Sequence, residues 1–278
     1  MTDAFDSRPV VVGIDGSKSA VRAAVWAADE AIDTDSTLLL LHVVDPRRDD
    51  QHAAMAEARH VLRQAWDAVL GAGKPVKIDS DILHGDAASG LVNASRSARM
   101  VCVGHKGTHD SAPGHRGATA SQVAEDASCT TVVVRHRKKP SPYRYEWIIA
   151  VLDESPDSHA VLQTALKGAM LRKAAVLALT SWSTTVRHHP DPAVDDLRAK
   201  LDRYLNDADR DNADVLVRAI PMPDHIFNVL EQSAPIDQLV VIGTSNPDLT
   251  RELLSRRAAK ILRNSDCSLM IARGDAAD

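Results

Sequence analysis

Val10-Val-Val-Gly-Ile-Asp-Gly-Ser17 opens the first half of the chain, and Ile148-Ile-Ala-Val-Leu-Asp-Glu-Ser155 opens the second in the same way. Each is a short, continuous apolar run ending in an aspartate and a serine. That pattern belongs to a strand buried on both faces that turns directly into a helix. The echo continues downstream. Met100-Val-Cys-Val-Gly104 returns as Leu239-Val-Val-Ile-Gly243. Ala127-Ser-Cys129, with Thr131 to Val134 after it, returns as Ser265-Asp-Cys267, with Leu269 to Ala272 after it. The offset is 138 for the aspartates (153 minus 15), 139 for the glycines (243 minus 104) and 138 for the cysteines (267 minus 129). A shift held to within about one residue across a whole half implies duplication, with one structural unit per half.

The join falls near His136 to Tyr145, which is basic, holds Pro140 and Pro142 and lacks hydrophobic periodicity. That is linker composition. The expected domains are therefore residues 1–137 and 138–278.

Within the first unit, Ser17 is placed to cap a helix over Lys18 to Ile32. There Ala20, Ala24, Ala27, Ala28 and Ala31 recur at helical spacing and permit close packing on a sheet. Leu38 to Val44 reads as a second buried strand, and Gln51 to Leu70 as a helix stopped by Gly71. Val76 to Leu83 alternates and reads as a strand nearer the edge. Ala87 to Ser97 is helical, Met100 to Val103 a strand, Gly117 to Asp126 a helix and Thr131 to Val134 the last strand. Strands alternating with helices imply right-handed crossovers. The fold class is α/β, as two tandem doubly wound domains. Each has a five-stranded, mostly parallel sheet with helices on both faces. Ligands of such sheets bind beyond the carboxyl ends of the strands.

Composition bounds the function. The chain has 278 residues, 44% hydrophobic and 26% charged, as in an ordinary globular protein. Aromatics are 3%, so the core is built from Ala, Val, Leu and Ile. A net charge of -5 argues against a nucleic-acid coat, and the basic run Arg135 to Lys139 reads as a solvated linker. No stretch is long and apolar enough to span a bilayer, and the polar, acidic Met1 to Pro9 does not read as a signal peptide. Cys102, Cys129 and Cys267 fit no disulfide or zinc spacing, and a cytoplasmic location is the simplest expectation.

The turn after the fourth strand carries the chemistry. It reads Gly104-His-Lys-Gly107, nine residues, then Gly117-Ala118-Thr119. Glycines let the backbone approach a phosphate, and a helix N-terminus offers free N–H groups to an anion. This loop resembles that of the universal stress protein family, whose ATP-binding members carry Gly-x-x-Gly, nine residues, then Gly-Ser or Gly-Thr. Both halves resemble that family over nearly their full length, and the tandem form is similar to the two-domain stress proteins of actinobacteria. The resemblance implies an adenine nucleotide alpha hydrolase-like fold and ATP, with or without Mg²⁺, as ligand of the first domain. It places Gly104, Gly107 and Gly117 in the phosphate loop, Asp15 at the adenosine and the Val43 backbone at the adenine. Without the resemblance, Asp15 reads equally well as a turn former. Ala118 stands where the family has a hydroxyl. That removes one donor to a phosphate, and Thr119 is the neighbouring replacement.

The second half departs further. Gly243 and Asp153 remain, but Asn246 replaces the second glycine and Arg256-Arg257 the closing pair. That half reads as structural or regulatory. Arg251, Arg256, Arg257 and Lys260 read as a solvated basic helix face, with binding of a different anion as the alternative. His105, His109 and His115 lie in one loop without a cysteine or carboxylate pattern to complete a metal site. No acid/base pair or Gly-x-Ser-x-Gly stands out, so slow ATP hydrolysis is the most activity expected. The reading is an ATP-binding regulatory protein of the stress response with a regulatory protein partner. The resemblance implies pairing through the last strands, as a homodimer or an intrachain pseudo-dimer. The rivals are a nucleotide-independent scaffold and a weak ATP hydrolase.

Overall fold

The computed structural model describes residues 8–108, 118–135, 147–153, 155–181, 215–222, 226–232, 238–255, 257–258 and 267–274. The chain divides into two compact units.

The first unit runs β1 (Val10–Gly13), α1 (Lys18–Asp33), β2 (Leu38–Val44), α2 (Gln51–Gly71), β3 (Ile78–His84), α3 (Ala87–Ala94), β4 (Met100–Gly104), α4 (Ala118–Asp126) and β5 (Thr130–Val134). Its strands lie in the order β3-β2-β1-β4-β5. Each neighbouring pair is parallel. From β1 the chain steps outward to β2 and β3, then crosses back to β4 and β5. Right-handed crossovers put helices made on the outward path on one face and those made on the return path on the other. Accordingly α1 packs beside α2, and α3 beside α4. The direction reverses between β1 and β4, so a crevice opens at their carboxyl ends.

Local sequence explains the elements. The extended Ser17 accepts a hydrogen bond from Ala20 N and starts α1. Ala20, Ala24, Ala27, Ala28 and Ala31 are all 2% exposed or less, and Ala23 and Trp26 join them on the buried face. These small side chains bring the helix against the sheet. A Cβ at Gly104, at the end of β4, would lie 2.6 Å from the Ser19 carbonyl carbon. The outermost strand β3 is the least buried of the first unit's strands, and its exposed Asp79 and Asp81 discourage edge pairing. Cys102 and Cys129 are buried and form no disulfide.

Three expectations are corrected. First, α2 includes Gly71 and closes at Ala72, so the left-handed residue is Gly73 with φ +68°. The last turn continues in right-handed geometry for two residues longer than the glycine signal suggests. Second, α3 stops at Ala94 rather than Ser97. Ser95 Oγ donates to Val92 O (2.6 Å) and accepts from Ser128 N (2.8 Å), which ties the end of this helix to the start of β5. Third, Arg135, read as the start of a solvated run, is buried because it continues directly from the buried residues of β5. Residues 136–146 lie outside the described residues.

The second unit repeats the plan. It contains β6 (Trp147–Leu152), α5 (Ser158–Arg172), β7 (Ala175–Ser181), β8 (Val217–Met222), α6 (Ile226–Gln232), β9 (Gln238–Gly243), α7 (Pro247–Leu254) and β10 (Cys267–Ala272). The strand order is β8-β7-β6-β9-β10. The pairs β6–β7, β6–β9 and β7–β8 are parallel. Pro221 sits in β8, the outer strand, where the lost donor is tolerated. No helix among the described residues is long and apolar enough to cross a membrane.

Candidate functional site

A cavity of about 310 Å³ opens at the carboxyl ends of β1, β2 and β4. Its size falls within the range of small-molecule sites. Asp15, Val43, Gly104, Gly107, Ala118 and Thr119 all line it. Residues more than one hundred positions apart thus meet because three parallel strands end side by side. Gly117, the remaining residue of the expected set, lies outside the described residues, as do His109 and His115.

The turn after β1 holds the front wall. Gly16 has φ +85°, a conformation that favours glycine, and a Cβ there would also lie 2.8 Å from Val61 Cγ1. This turn aims the exposed Asp15. Its Oδ1 accepts from Ser17 N at 2.9 Å, and its Oδ2 accepts from Thr108 N at 3.0 Å. Asp15 therefore forms the turn and also ties it to the loop after β4. Ser17 adds a second tie, donating from Oγ to Lys106 O at 3.0 Å while capping α1. The two loops are held as one wall, with the carboxylate at the cavity.

Loop residues His105 and Lys106 part company. Lys106 is exposed and lines the cavity. His105 is half-buried, with Nδ1 3.2 Å from Ser19 Oγ and 3.3 Å from Val134 O. Burial, then the nearby Arg135 and Lys106 charges, push its pKa down to about 4. It is neutral at pH 7 and supplies no charge to an anion. Among the described residues no cluster of three or more His, Cys, Asp or Glu is placed to hold a metal.

On the β2 side, Val43 is half-buried, and a Cβ at Gly90 would approach its Cγ2 to 3.1 Å. The packing of α3 therefore sets the position of this wall. With Ile14, Leu41 and Val103 it forms an apolar floor. The first turn of α4, Ala118 to Ala120, lines the opposite side, where early helical N–H groups lack intrahelical acceptors. An apolar slot, a carboxylate at its mouth, and a glycine loop leading to a helix start can hold a flat, partly apolar group joined to an anion.

Three cavity features were absent from the sequence reading. His42 Nδ1 lies 2.6 Å from Ile14 O, and since a carbonyl only accepts, Nδ1 carries the proton. Arg48 pairs with Glu57 at 2.7 Å, and both line the cavity. Beside them Arg47 clamps Asp45, holding its carboxyl down to about 2. His42 was legible from its place beside Val43. The Arg48–Glu57 pair needed the docking of α2.

The corresponding turn of the second unit keeps part of the design. Asp153 Oδ1 accepts from Ser155 N at 3.0 Å, as Asp15 does from Ser17 N. Asn246, in place of a loop glycine, caps α7 by accepting from Leu249 N at 3.0 Å. Arg251 pairs with Asp248 at 2.7 Å on the exposed face of α7, in line with a solvated surface. Arg257 is exposed, whereas Arg256 and Lys260 lie outside the described residues.

Comparison with known proteins agrees with this architecture. The chain is 35% identical over 269 residues to Universal stress protein Rv2624c of Mycobacterium tuberculosis strain H37Rv, covering 96% of each. It is 32% identical over 269 residues to Universal stress protein Rv2028c of the same organism, covering 94% of this chain and 95% of that one. Among solved structures, a universal stress protein from Archaeoglobus fulgidus shares the fold with a TM-score of 0.72 at 13% identity, covering 98% of this chain and 99% of that one. The Universal stress protein family profile matches twice, at residues 7–135 and 144–273, one match to each repeat read from the sequence. Duplicated strands, a doubly wound topology and the two profile matches converge, and the chain belongs to the universal stress protein family.

Proposed function

We propose that the first domain binds an adenine nucleotide, ATP, in the cavity at the ends of β1, β2 and β4. The observation that carries this reading is the convergence of Asp15, Val43, Gly104, Gly107, Ala118 and Thr119 on that one cavity. In this reading the base lies in the apolar slot by Val43, and the ribose hydroxyls meet Asp15. The phosphates face the backbone N–H groups near Gly104 and Gly107 and those of Ala118 and Thr119 at the start of α4. Lys106 supplies a nearby positive charge. Mg²⁺ accompanies the phosphates as in solution. The output is regulatory: nucleotide occupancy favours one arrangement of the loops, and a protein partner reads it. A cytoplasmic location and a homodimer belong to the same proposal.

Calorimetric titration of nucleotide-stripped protein with ATP and Mg²⁺, beside a Gly107→Asp variant, tests it. Gly107 is exposed, and a Cβ there would lie 3.0 Å from Asp15 Oδ2. The added carboxylate repels phosphate at the loop. Binding to the wild type that weakens at least tenfold in the variant supports the proposal. Absence of binding to the wild type at millimolar ATP sinks it and leaves the nucleotide-independent scaffold.

A further inference from the structure

The loop after β9 occupies the place in the second unit that the glycine loop after β4 occupies in the first. Its polar groups converge on a single oxygen. Thr244 Oγ1 donates to Asp157 Oδ2 at 2.7 Å, Ser245 N at 2.7 Å and Ser245 Oγ at 2.9 Å. Asp157 sits at the N-cap of α5, where an aspartate ordinarily caps its own helix, yet its side chain makes no capping hydrogen bond. The carboxylate is turned to the loop instead. Gly243 makes room for it, since a Cβ there would lie 2.6 Å from Asp157 Cβ.

The first unit has a neutral group at this point. The repeat offset aligns Asp157 with Ser19 (157 minus 138). Ser19 Oγ accepts from Lys106 N only at 3.4 Å. The same slot between helix and loop thus holds a hydroxyl in one unit and a carboxylate in the other. Hydroxyl and amide donors gathered on one charged oxygen form the arrangement by which loops hold phosphate. Burial opposes ionisation of Asp157, but the hydrogen bonds from Thr244 and Ser245 outweigh it and hold the carboxyl below its usual range.

We propose that the loop after β9 is an oxyanion-binding loop occupied by the chain's own Asp157 carboxylate, and that this internal anion keeps phosphate and nucleotide out of the second domain. The asymmetry between the domains then rests on one substituted side chain in addition to the lost glycines. The proposal does not depend on the first domain binding ATP.

The test uses the full chain as wild type, Asp157→Ala and Asp157→Ser. Thermal unfolding is followed with inorganic phosphate and with chloride at equal ionic strength, and bound phosphate per chain is measured by equilibrium dialysis. Asp157→Ala removes the internal anion, so the variant melts lower in chloride. Phosphate restores it by more than it raises the wild type, with one additional phosphate bound per chain at least tenfold more tightly than by the wild type. Asp157→Ser, carrying the hydroxyl of the first unit, keeps the loop closer to its native geometry and gains the same phosphate. Variants that gain no phosphate binding overturn the proposal, whether or not they melt lower, and leave Asp157 a structural tie alone. Variants that fail to refold even in phosphate overturn it equally. If the wild type binds no ATP while the variants gain phosphate, the reading of the first domain fails and this one stands.

Discussion

At the residue scale, the first domain's cavity turns on single substitutions. Ala118 lines the cavity at the first turn of α4 without a hydroxyl. Replacing it with serine adds a donor where the proposed phosphates lie. A hydrogen bond to a charged group contributes about 1.5–3 kcal/mol, so Ala118→Ser tightens ATP binding by roughly ten- to a hundredfold in calorimetry. An unchanged dissociation constant counts against phosphate contact at this position. His105 makes a separate prediction. Its pKa falls from 6.5 to about 4 on folding, so the unfolded chain binds more protons between those values. Stability from this group is fully present above pH 6.5 and is lost as pH falls from 6.5 towards 4, by on the order of 3 kcal/mol. His105→Gln therefore flattens the dependence of the melting temperature on pH across that window. A variant curve parallel to the wild type removes His105 as the cause. The residue identities of the cavity were legible because they sit at strand ends. The inward turn of His105 was not, since a histidine between two loop glycines reads equally well as facing solvent.

At the element scale, the approach of α1 to β4 is the critical packing. Gly104 was read as a phosphate-loop glycine, yet its immediate constraint is steric, with the Ser19 backbone 2.6 Å from the position of a Cβ. Backbone atoms of a helix cannot move aside as a flexible side chain can. Gly104→Ala costs about 1–3 kcal/mol by overpacking, read as a lower denaturant midpoint even without nucleotide. A stability change seen only with ATP present would contradict this. Element type followed from periodicity and from Ser17, which accepts from Ala20 N–H at the start of α1, and the structure adds Asp50 and Asp86, which accept from Ala53 and Ser89 N–H groups at the starts of α2 and α3. Helix ends were harder to read. The last turn of α2 runs past the expected stop at Leu70, and α3 ends at Ala94, with its C-cap Ser95 hydroxyl engaged by a residue 33 positions away. A local signal does not carry that partner.

At the scale of the whole molecule, the two units share a plan and differ in what fills it. The expected stoichiometry is one ATP per chain, with the nucleotide stabilising the protein by about 2.7 kcal/mol at a hundredfold excess over the dissociation constant. Native mass spectrometry that finds two nucleotides per chain would show the second unit open and would contradict an occupied loop after β9.

The sequence by itself determined the duplication, the α/β class with mostly parallel, doubly wound sheets, and the family. The first two follow from periodic patterns and a constant offset, which local chemistry writes directly into the chain, and the family from the resemblance carried by the loop of Gly104, Gly107 and Gly117. It also marked Asp15, Val43 and the loop residues as a set. Only the tertiary structure decided that these residues share one cavity, that Asp15 bridges two loops, that His105 faces inward and that Asp157 serves the loop after β9 rather than its own helix. Each depends on side-chain direction across a contact between elements distant in sequence. A hydrogen bond spanning 88 positions, as from Ser245 N to Asp157, leaves no periodicity to read. It exists because the fold brings a helix start and a strand end to the same side of the sheet.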